Sequence, residues 1–246
     1  MQKNIYFLAD AHLGSRTVDN PREHEMRLVR WLDFIKPTAS TIYLLGDIFD
    51  FWFEYKTVVP KGFVRLFGKL AELVDNGVEI HFFIGNHDIW AFEYFEKEIG
   101  LIVHREPLTA EHSGKIFYLR HGDGLSDDEK GFKFIRSAFH NRFLQKAFMC
   151  VPPRLGQNLG YWWALKNRQK LTAAQTAYKG ENAENIINFA KKYAVAHKVD
   201  YFVFGHRHIL LDLSLAHGEC LIILGDFINL FSYGVFDGEN FRLEKF

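Results

Sequence analysis

An α/β fold is what this sequence predicts, and three observations predict it. Six short hydrophobic runs, at residues 5–8, 42–45, 80–84, 116–119, 201–204 and 221–224, are aliphatic or aromatic and bounded by polar residues, the pattern of buried strands. Helix-period stripes separate several of them. Each run then gives way to residues that bind cations through oxygen or nitrogen: Asp10-Ala11-His12, Gly46-Asp47, Gly85-Asn86-His87-Asp88, His121-Gly122-Asp123, Gly205-His206-Arg207-His208 and Gly225-Asp226.

Taken in order, residues 5–8 form the first expected strand and deliver Asp10 and His12. After the start signal Asn20-Pro21, Met26, Val29, Leu32 and Ile35 recur at helical spacing. Residues 42–45 form the second strand, turning sharply at Gly46 to present Asp47. Phe63, Leu66, Phe67, Leu70, Leu73 and Val74 make a second helical stripe, closed by Asn76-Gly77, a good C-terminal cap. Residues 80–84 and 116–119 lead to Gly85-Asn86 and to His121. Ile186, Phe189, Ala190 and Tyr193 mark a helix just before the strand at 201–204, which delivers His206 and His208. In residues 220–246, strand-like runs alternate with expected turns at Tyr233-Gly234 and Asp237-Gly238, so antiparallel strands are expected there.

Residues 125–180 break this rhythm. They hold no strand-like run; aromatics such as Phe139, Phe143, Phe148, Trp162 and Trp163 interleave with ten Lys and Arg, against only Asp127, Asp128 and Glu129. The expected organisation is therefore a core of residues 1–124 and 181–246 with a helical cap inserted at 125–180. A basic-aromatic cap suits an amphiphile or an anionic membrane surface. The alternative is that the aromatics are the cap's own core and the lysines its solvated face.

Bulk composition narrows the function classes. At 48% hydrophobic and 24% charged residues, the chain can bury a sizeable core. Thirty basic and thirty acidic residues cancel, so no global field advertises long nucleic acid as a partner. Cys150 and Cys220 belong to no metal-binding motif and read as reduced thiols of a cytoplasmic protein. The N-terminal segment runs straight into the first site motif without a signal peptide's apolar region, and no stretch is long enough to span a bilayer. Any membrane contact is expected to be peripheral. Oligomeric state is not legible.

A sheet whose strands end together would bring the strand-exit residues to a common edge, where α/β proteins place their sites. Asp10, His12, Asp47, Asn86, His121, His206 and His208 are too many ligands for one ion and about right for two. Asp47 is the expected bridge, with Asp10, His12 and His208 on one ion and Asn86, His121 and His206 on the other. A carboxylate holding two cations around an attacking oxygen is the logic of a binuclear phosphoester centre. Oxygen and nitrogen donors without thiolate favour Mn²⁺, ahead of Fe²⁺, Zn²⁺ or Mg²⁺. His24, His81, His104, His112, His140, His197 and His217 fall outside these motifs and read as surface or partly buried histidines.

In this series of motifs the chain resembles the calcineurin-like metallophosphoesterase superfamily. The resemblance implies a four-layer αββα sandwich with a binuclear site at the strand ends. Within that superfamily, Leu-Gly-Asp-Ile-Phe-Asp-Phe-Trp at 45–52, His-Gly-Asp-Gly-Leu-Ser-Asp-Asp at 121–128 and the inserted cap resemble the UDP-2,3-diacylglucosamine pyrophosphatase branch. That implies cleavage of UDP-2,3-diacylglucosamine to lipid X (2,3-diacylglucosamine 1-phosphate) and UMP in lipid A synthesis, with Mn²⁺, at the inner face of the cytoplasmic membrane. Another lipid, nucleotide or nucleic-acid phosphodiester is the alternative substrate, and a non-catalytic scaffold the alternative class. It further implies catalytic roles for Asn86, His87 and Asp88, the last orienting His87. Asn86, His87 and His206 would contact substrate, and Phe139, Phe143, Phe148, Trp162 and Trp163 would cover acyl chains. The chain departs from the branch in two places: His87 stands where the branch carries arginine, and the branch's Ser, Asn and Lys of the cap find no match around residues 167–179. Histidine there, as the broader superfamily has it, can stabilise the phosphorane or protonate the leaving oxygen.

Overall fold

The computed structural model describes residues 3–125, 137–175 and 177–246, with the backbone alone for 167–175. It is a four-layer αββα sandwich. The chain runs β1 (Asn4–Leu8), α1 (Pro21–Ile35), β2 (Ala39–Leu44), α2 (Val64–Asp75), β3 (Glu79–Phe83), a π turn at Phe95–Ile99, then β4 (Ile102–His104), β5 (Leu108–His112) and β6 (Lys115–Arg120). There follow α3 (Arg142–Met149), α4 (Pro153–Gln175), α5 (Asn185–Ala196), β7 (Tyr201–Phe204), β8 (Leu210–Ser214), β9 (Cys220–Leu224), β10 (Ser232–Phe236) and β11 (Phe241–Lys245).

One sheet has the order β11-β10-β1-β2-β3-β4 and the other β5-β6-β7-β9-β8. Strands β1-β2-β3-β4 and β6-β7-β9 are parallel, and antiparallel strands close every edge except the one formed by β4. Side-chain alternation along each strand assigns the layers. In β1 and β2, Phe7 and Tyr43 face the other sheet and meet Phe117, Leu119 and Val203. Their neighbours Tyr6, Leu8, Ile42 and Leu44 face outward onto Leu28, Trp31, Leu32 and Ile35 of α1 and Leu66, Leu70 and Leu73 of α2. Across the second sheet, Tyr118, Phe202 and Phe204 pack on Ile186, Ile187 and Ala190 of α5.

Local chemistry sets the helix ends. The Asn20 side chain accepts from Glu23 N at 3.1 Å, with Pro21 in the first turn. The N-terminus of α2 is capped from α1, where Glu25 Oε1 accepts from Arg65 N and Leu66 N at 3.1 and 3.3 Å. At the far end Gly77 takes φ +81°, as the Asn-Gly cap leads one to expect.

Three strands were not anticipated: β4, β5 and β8, all at sheet edges and all partly exposed. The expected turn at Tyr233-Gly234 is a correction. Both residues lie inside β10, where Gly234 pairs with Phe7 and Leu243. A Cβ on Gly234 would meet the Phe241 ring at 2.5 Å, so glycine serves close packing there.

Within residues 125–180, α3 and α4 join neither sheet. They dock on the loops after β2 and β3 through Phe51, Phe53, Tyr55, Ile89 and Trp90. The contact is flush because α4 turns Gly156, Gly160 and Ala164 toward the core: a Cβ on Gly160 would lie 2.2 Å from the Phe51 ring, and one on Gly156 would lie 2.1 Å from Tyr55 Oη. Residues 126–136, with Asp127, Asp128, Glu129, Lys130, Lys133 and Arg136, lie outside the described residues, as do the side chains of Arg168 and Lys170.

Candidate metal centre

Six strands of the two sheets release their chain at one end of the sandwich, and their exit loops are cross-tied by backbone. Asp10 N donates to Gly46 O at 3.1 Å, His12 N to Asp47 O at 2.9 Å, and Phe227 N to Asp10 O at 3.1 Å. Gly205 N donates to His121 O at 2.9 Å, which joins the second sheet's exits to each other. Five of the seven expected ligand residues, Asp10, His12, Asp47, His206 and His208, take positive φ between 44° and 67°. Non-glycine residues rarely sit there, and such strain collects at functional sites. The glycine before a ligand loop has its own reason: a Cβ on Gly85 would lie 2.2 Å from Asp47 Oδ1.

These exits bring all seven residues together. Around Asp10, His208 Nε2 lies 3.3 Å and His12 Nε2 3.6 Å from Oδ1, and the two ring nitrogens are 3.2 Å apart. Asp47 Oδ2 stands 3.8 Å from His12 Nε2 and 3.3 Å from His121 Nε2. His121 Nε2 is 3.3 Å from Asn86 Oδ1, and Asp47, His121 and His206 offer ligand atoms within 4.8 Å of one another. Asp47 thus belongs to two neighbouring groups of donors.

The donor chemistry fits cations. Asp10 Oδ1 is fully buried and receives no well-formed hydrogen bond, although two imidazoles face it. Ligand bonds of about 2.0–2.2 Å place donor atoms roughly 3.0–3.5 Å apart around one ion. The separations here are of that size. The other carboxylate oxygens are already engaged, Asp10 Oδ2 by His206 N at 2.7 Å and Asp47 Oδ1 by His87 N at 2.8 Å. Each aspartate therefore keeps one oxygen for an ion.

Electrostatics agree. Burial alone would raise the Asp10 and Asp47 carboxyls, but His208 and His12 beside Asp10, and His121 and His87 beside Asp47, hold both well below the usual carboxylate range. Burial disfavours charge on His121, yet Asp47 and Asp10 push it up to about 10. His208 rises to about 9, with Asp10 and Asp226 outweighing burial. His206, buried beside His121, falls to about 4.

Other residues support the donors from behind. Asp226 Oδ2 lies 3.6 Å from His208 Nδ1, while its Oδ1 accepts from Ile228 N, Asn229 N and Leu230 N. Asp50 Oδ1 lies 3.5 Å from His12 Nδ1, and Leu45 O is 2.8 Å from His121 Nδ1. Such partners fix imidazole tautomer and orientation. Gly225-Asp226 stood among the strand-exit motifs without a role; its position two residues past β9 was the available signal. Asp50 carried none beyond lying in the 45–52 run.

Asp88 requires a correction. It does not orient His87. Its carboxylate accepts from four backbone amides, Gly85 N at 2.7 Å, Ile48 N at 2.9 Å, Asp47 N at 3.3 Å and Phe49 N at 3.4 Å, and so clamps the β2 and β3 exit loops together. Burial and Asp47 push its carboxyl up to about 7. The His87 ring is held instead by Asp50 O, 2.7 Å from Nδ1, and meets His12 edge-on at 4.8 Å.

The cap aromatics divide. Phe139 packs between Trp90 and Trp163 at centroid distances of 4.8 and 4.6 Å, and Phe148 sits 4.7 Å from Phe53, so these three are half-buried glue between cap and core. Phe143 and Trp162 remain 77% and 48% exposed. Tyr161, not singled out by sequence, lies against Phe51 at 5.7 Å and under the Arg16 guanidinium at 5.5 Å, beside Gly14.

The calcineurin-like phosphoesterase family matches residues 3–210. Over 257 aligned residues, 100% of this chain and 98% of the relative, the sequence is 43% identical to a UDP-2,3-diacylglucosamine hydrolase from Porphyromonas gingivalis. A UDP-2,3-diacylglucosamine hydrolase from Haemophilus influenzae is 26% identical over 231 residues, 91% of this chain and 90% of its own. Among solved structures, a dimetal phosphatase from Danio rerio aligns over 99% of this chain and 95% of its own, at 15% identity and a TM-score of 0.48.

Proposed function

The chain belongs to the calcineurin-like phosphoesterase family of metal-dependent hydrolases, and on that premise we propose that it hydrolyses UDP-2,3-diacylglucosamine to lipid X and UMP, a step of lipid A synthesis. The observation that carries the substrate is the 43% identity to the P. gingivalis hydrolase over 100% of this chain and 98% of that one.

In this reading Asp10, His12, Asp47 and His208 hold one divalent ion, and Asp47, Asn86, His121 and His206 hold another. Two cations bound there supply Lewis acidity toward the phosphate oxygens and acidify the attacking water. The protein's own groups do the rest. Asp10 and Asp47 keep one oxygen each on a backbone amide, so neither carboxylate can rotate away. The His87 Nδ1–H donates a hydrogen bond to Asp50 O, which orients the ring so that Nε2, when it too carries a proton, can donate to or protonate the departing oxygen. Asp88 maintains the loop geometry on which Asp47 and His87 both depend.

Mn²⁺ suits a donor set of imidazole, carboxylate and amide without thiolate, and is the ion proposed. Residues 125–180 act as the cap, its packed aromatics walling the acyl chains. The outward face of α3 and α4 carries Phe143, Leu155, Leu159 and Trp162 beside Arg142, Lys146, Arg154 and Lys166, a composition for peripheral contact with an anionic membrane face. No helix among the described residues is long and apolar enough to cross a membrane. Incubating the Mn²⁺-loaded protein with UDP-2,3-diacylglucosamine and following UMP tests the proposal directly. Stoichiometric release of UMP and lipid X supports it; an intact substrate alongside hydrolysis of simple phosphodiesters rejects it.

A further inference from the structure

We propose that a cleft opening from the His121 side of the centre receives the nucleoside monophosphate half of the substrate, with Arg120 as the residue that selects it. This deepens the substrate reading above and rests on it for the identity of the two halves.

The cleft has a volume of about 220 Å³ and shares Gly85 and His121 with the metal centre, so a phosphate held there extends into it without a gap. Pockets for whole drug-sized ligands run roughly 300–1,000 Å³. This one is sized for a polar fragment and excludes a pair of acyl chains. An in-line displacement at phosphorus sends the attacking and leaving sides apart, so the two halves of a pyrophosphate diester need separate exits. The cap side of the centre is walled by aromatics. The His121 side is lined by Arg105, Arg120 and His140, with Glu106 and Asp123 among them, over an apolar floor that includes Phe83 and Ile89.

That lining matches a nucleotide in kind. His104 lies flat on Phe83, with ring centroids 4.6 Å apart and planes 24° from parallel, and stacks on His81 as well, so one wall is rigid and aromatic. Both arginines are fixed in place: Arg105 reaches Phe92 O and Ala91 O, and Arg120 Nη2 donates to Asp123 O at 3.2 Å. Arg120 lines the cleft together with His121, and its side chain is held by Asp123 O and the Tyr118 hydroxyl. A guanidinium there offers paired donors to a phosphate or to the carbonyl oxygens of a pyrimidine.

Calorimetric titration of the Mn²⁺-loaded protein with UMP, and separately with inorganic phosphate, tests the assignment. Arg120→Ala is expected to weaken UMP binding by about tenfold or more while phosphate binding changes much less. Because Arg120→Ala could disturb His121, a second variant, Glu106→Trp, plugs the exposed mouth of the cleft from a position outside the centre, and the same selective loss is expected. UMP binding that is absent in the wild type, equal in all three proteins, or lost only in parallel with phosphate overturns the assignment. The substrate reading is judged apart from this. A protein that cleaves UDP-2,3-diacylglucosamine but binds UMP independently of Arg120 sinks the cleft alone. One that binds UMP through Arg120 and spares the glycolipid leaves the cleft standing and removes the substrate.

Discussion

Asp47 Oδ2 and His121 Nε2 face each other at 3.3 Å across the seam between the two sheets. Asp47 follows a strand of one sheet and His121 a strand of the other, and Asp47 also faces His12. Replacing Asp47 should therefore remove the one side chain common to both donor groups. For Asp47→Ala we expect turnover to fall by on the order of 10³-fold or more, with bound metal falling below two ions per chain. Circular dichroism and a melting curve should show a folded protein. Retained activity with full metal content would refute the bridging role.

Asp226 lies behind His208, its Oδ2 3.6 Å from Nδ1. Asp226→Asn keeps the size and the loop hydrogen bonds but removes the charge facing Nδ1. Metal affinity should drop by about 10–100-fold, with kcat at saturating metal changed less. Competition with a chelator measures it; an unchanged affinity would show that the carboxylate serves only its loop.

Protons and cations compete at this site. With His121 raised to about 10 and His208 to about 9, both imidazoles carry protons near neutrality when no ion is bound, whereas His206 at about 4 does not. Metal ligation needs neutral imidazole, so binding must expel those protons. Apparent affinity should climb as pH rises from 6 to 8, by about tenfold per unit for each proton released. Calorimetry in two buffers of different ionisation enthalpy should report one to two protons released per chain. Identical heats in both buffers would contradict this.

His87 touches the reaction from outside the proposed ligand sets. His87→Gln should retain both ions yet lower kcat by about 10²–10⁴-fold, the range for loss of a general acid. A parallel loss of metal would reassign it as a ligand, a reading open to it because His12, Asp47 and His87 also form a close donor group.

The cap is held at contact distance by glycine. In Gly160→Ala the new methyl would enter the Phe51 ring, and α4 must lift. A destabilisation of about 1–3 kcal/mol in urea is expected. Activity on the glycolipid should fall further than on bis(p-nitrophenyl) phosphate, since only the former is proposed to use the cap. Equal losses on the two substrates would argue that α4 merely stabilises the core.

How much of this was legible follows from where each residue stands. The seven expected ligands lie just beyond buried strands, and strand periodicity plus a change to polar residues locates such positions without tertiary knowledge. The edge strands β4, β5 and β8 were hidden because a half-exposed strand of three to five residues has too little apolar signal. Alternation in Leu108-Thr109-Ala110-Glu111-His112 is visible only once β6 is placed beside it. Asp88 misled for the opposite reason. Its adjacency to His87 suggests a dyad, but neighbouring side chains on a tight turn point apart, and the carboxylate's true partners come from the β2 loop. The division of cap aromatics into glue and exposed surface depends on docking, and nothing local to α3 or α4 encodes it.

The left-handed backbone at Asp10, His12, Asp47, His206 and His208 carries a further implication. Each such residue disfavours the fold by roughly 1 kcal/mol or more where glycine would not. Glycine would relieve that strain, at Asp10 and Asp47 against the loss of buried hydrogen bonds from His206 N and His87 N, and would leave an inert protein. The presence of these five residues means that these turns were not chosen for backbone comfort, and a library screened only for heat resistance is free to lose the catalyst at these positions.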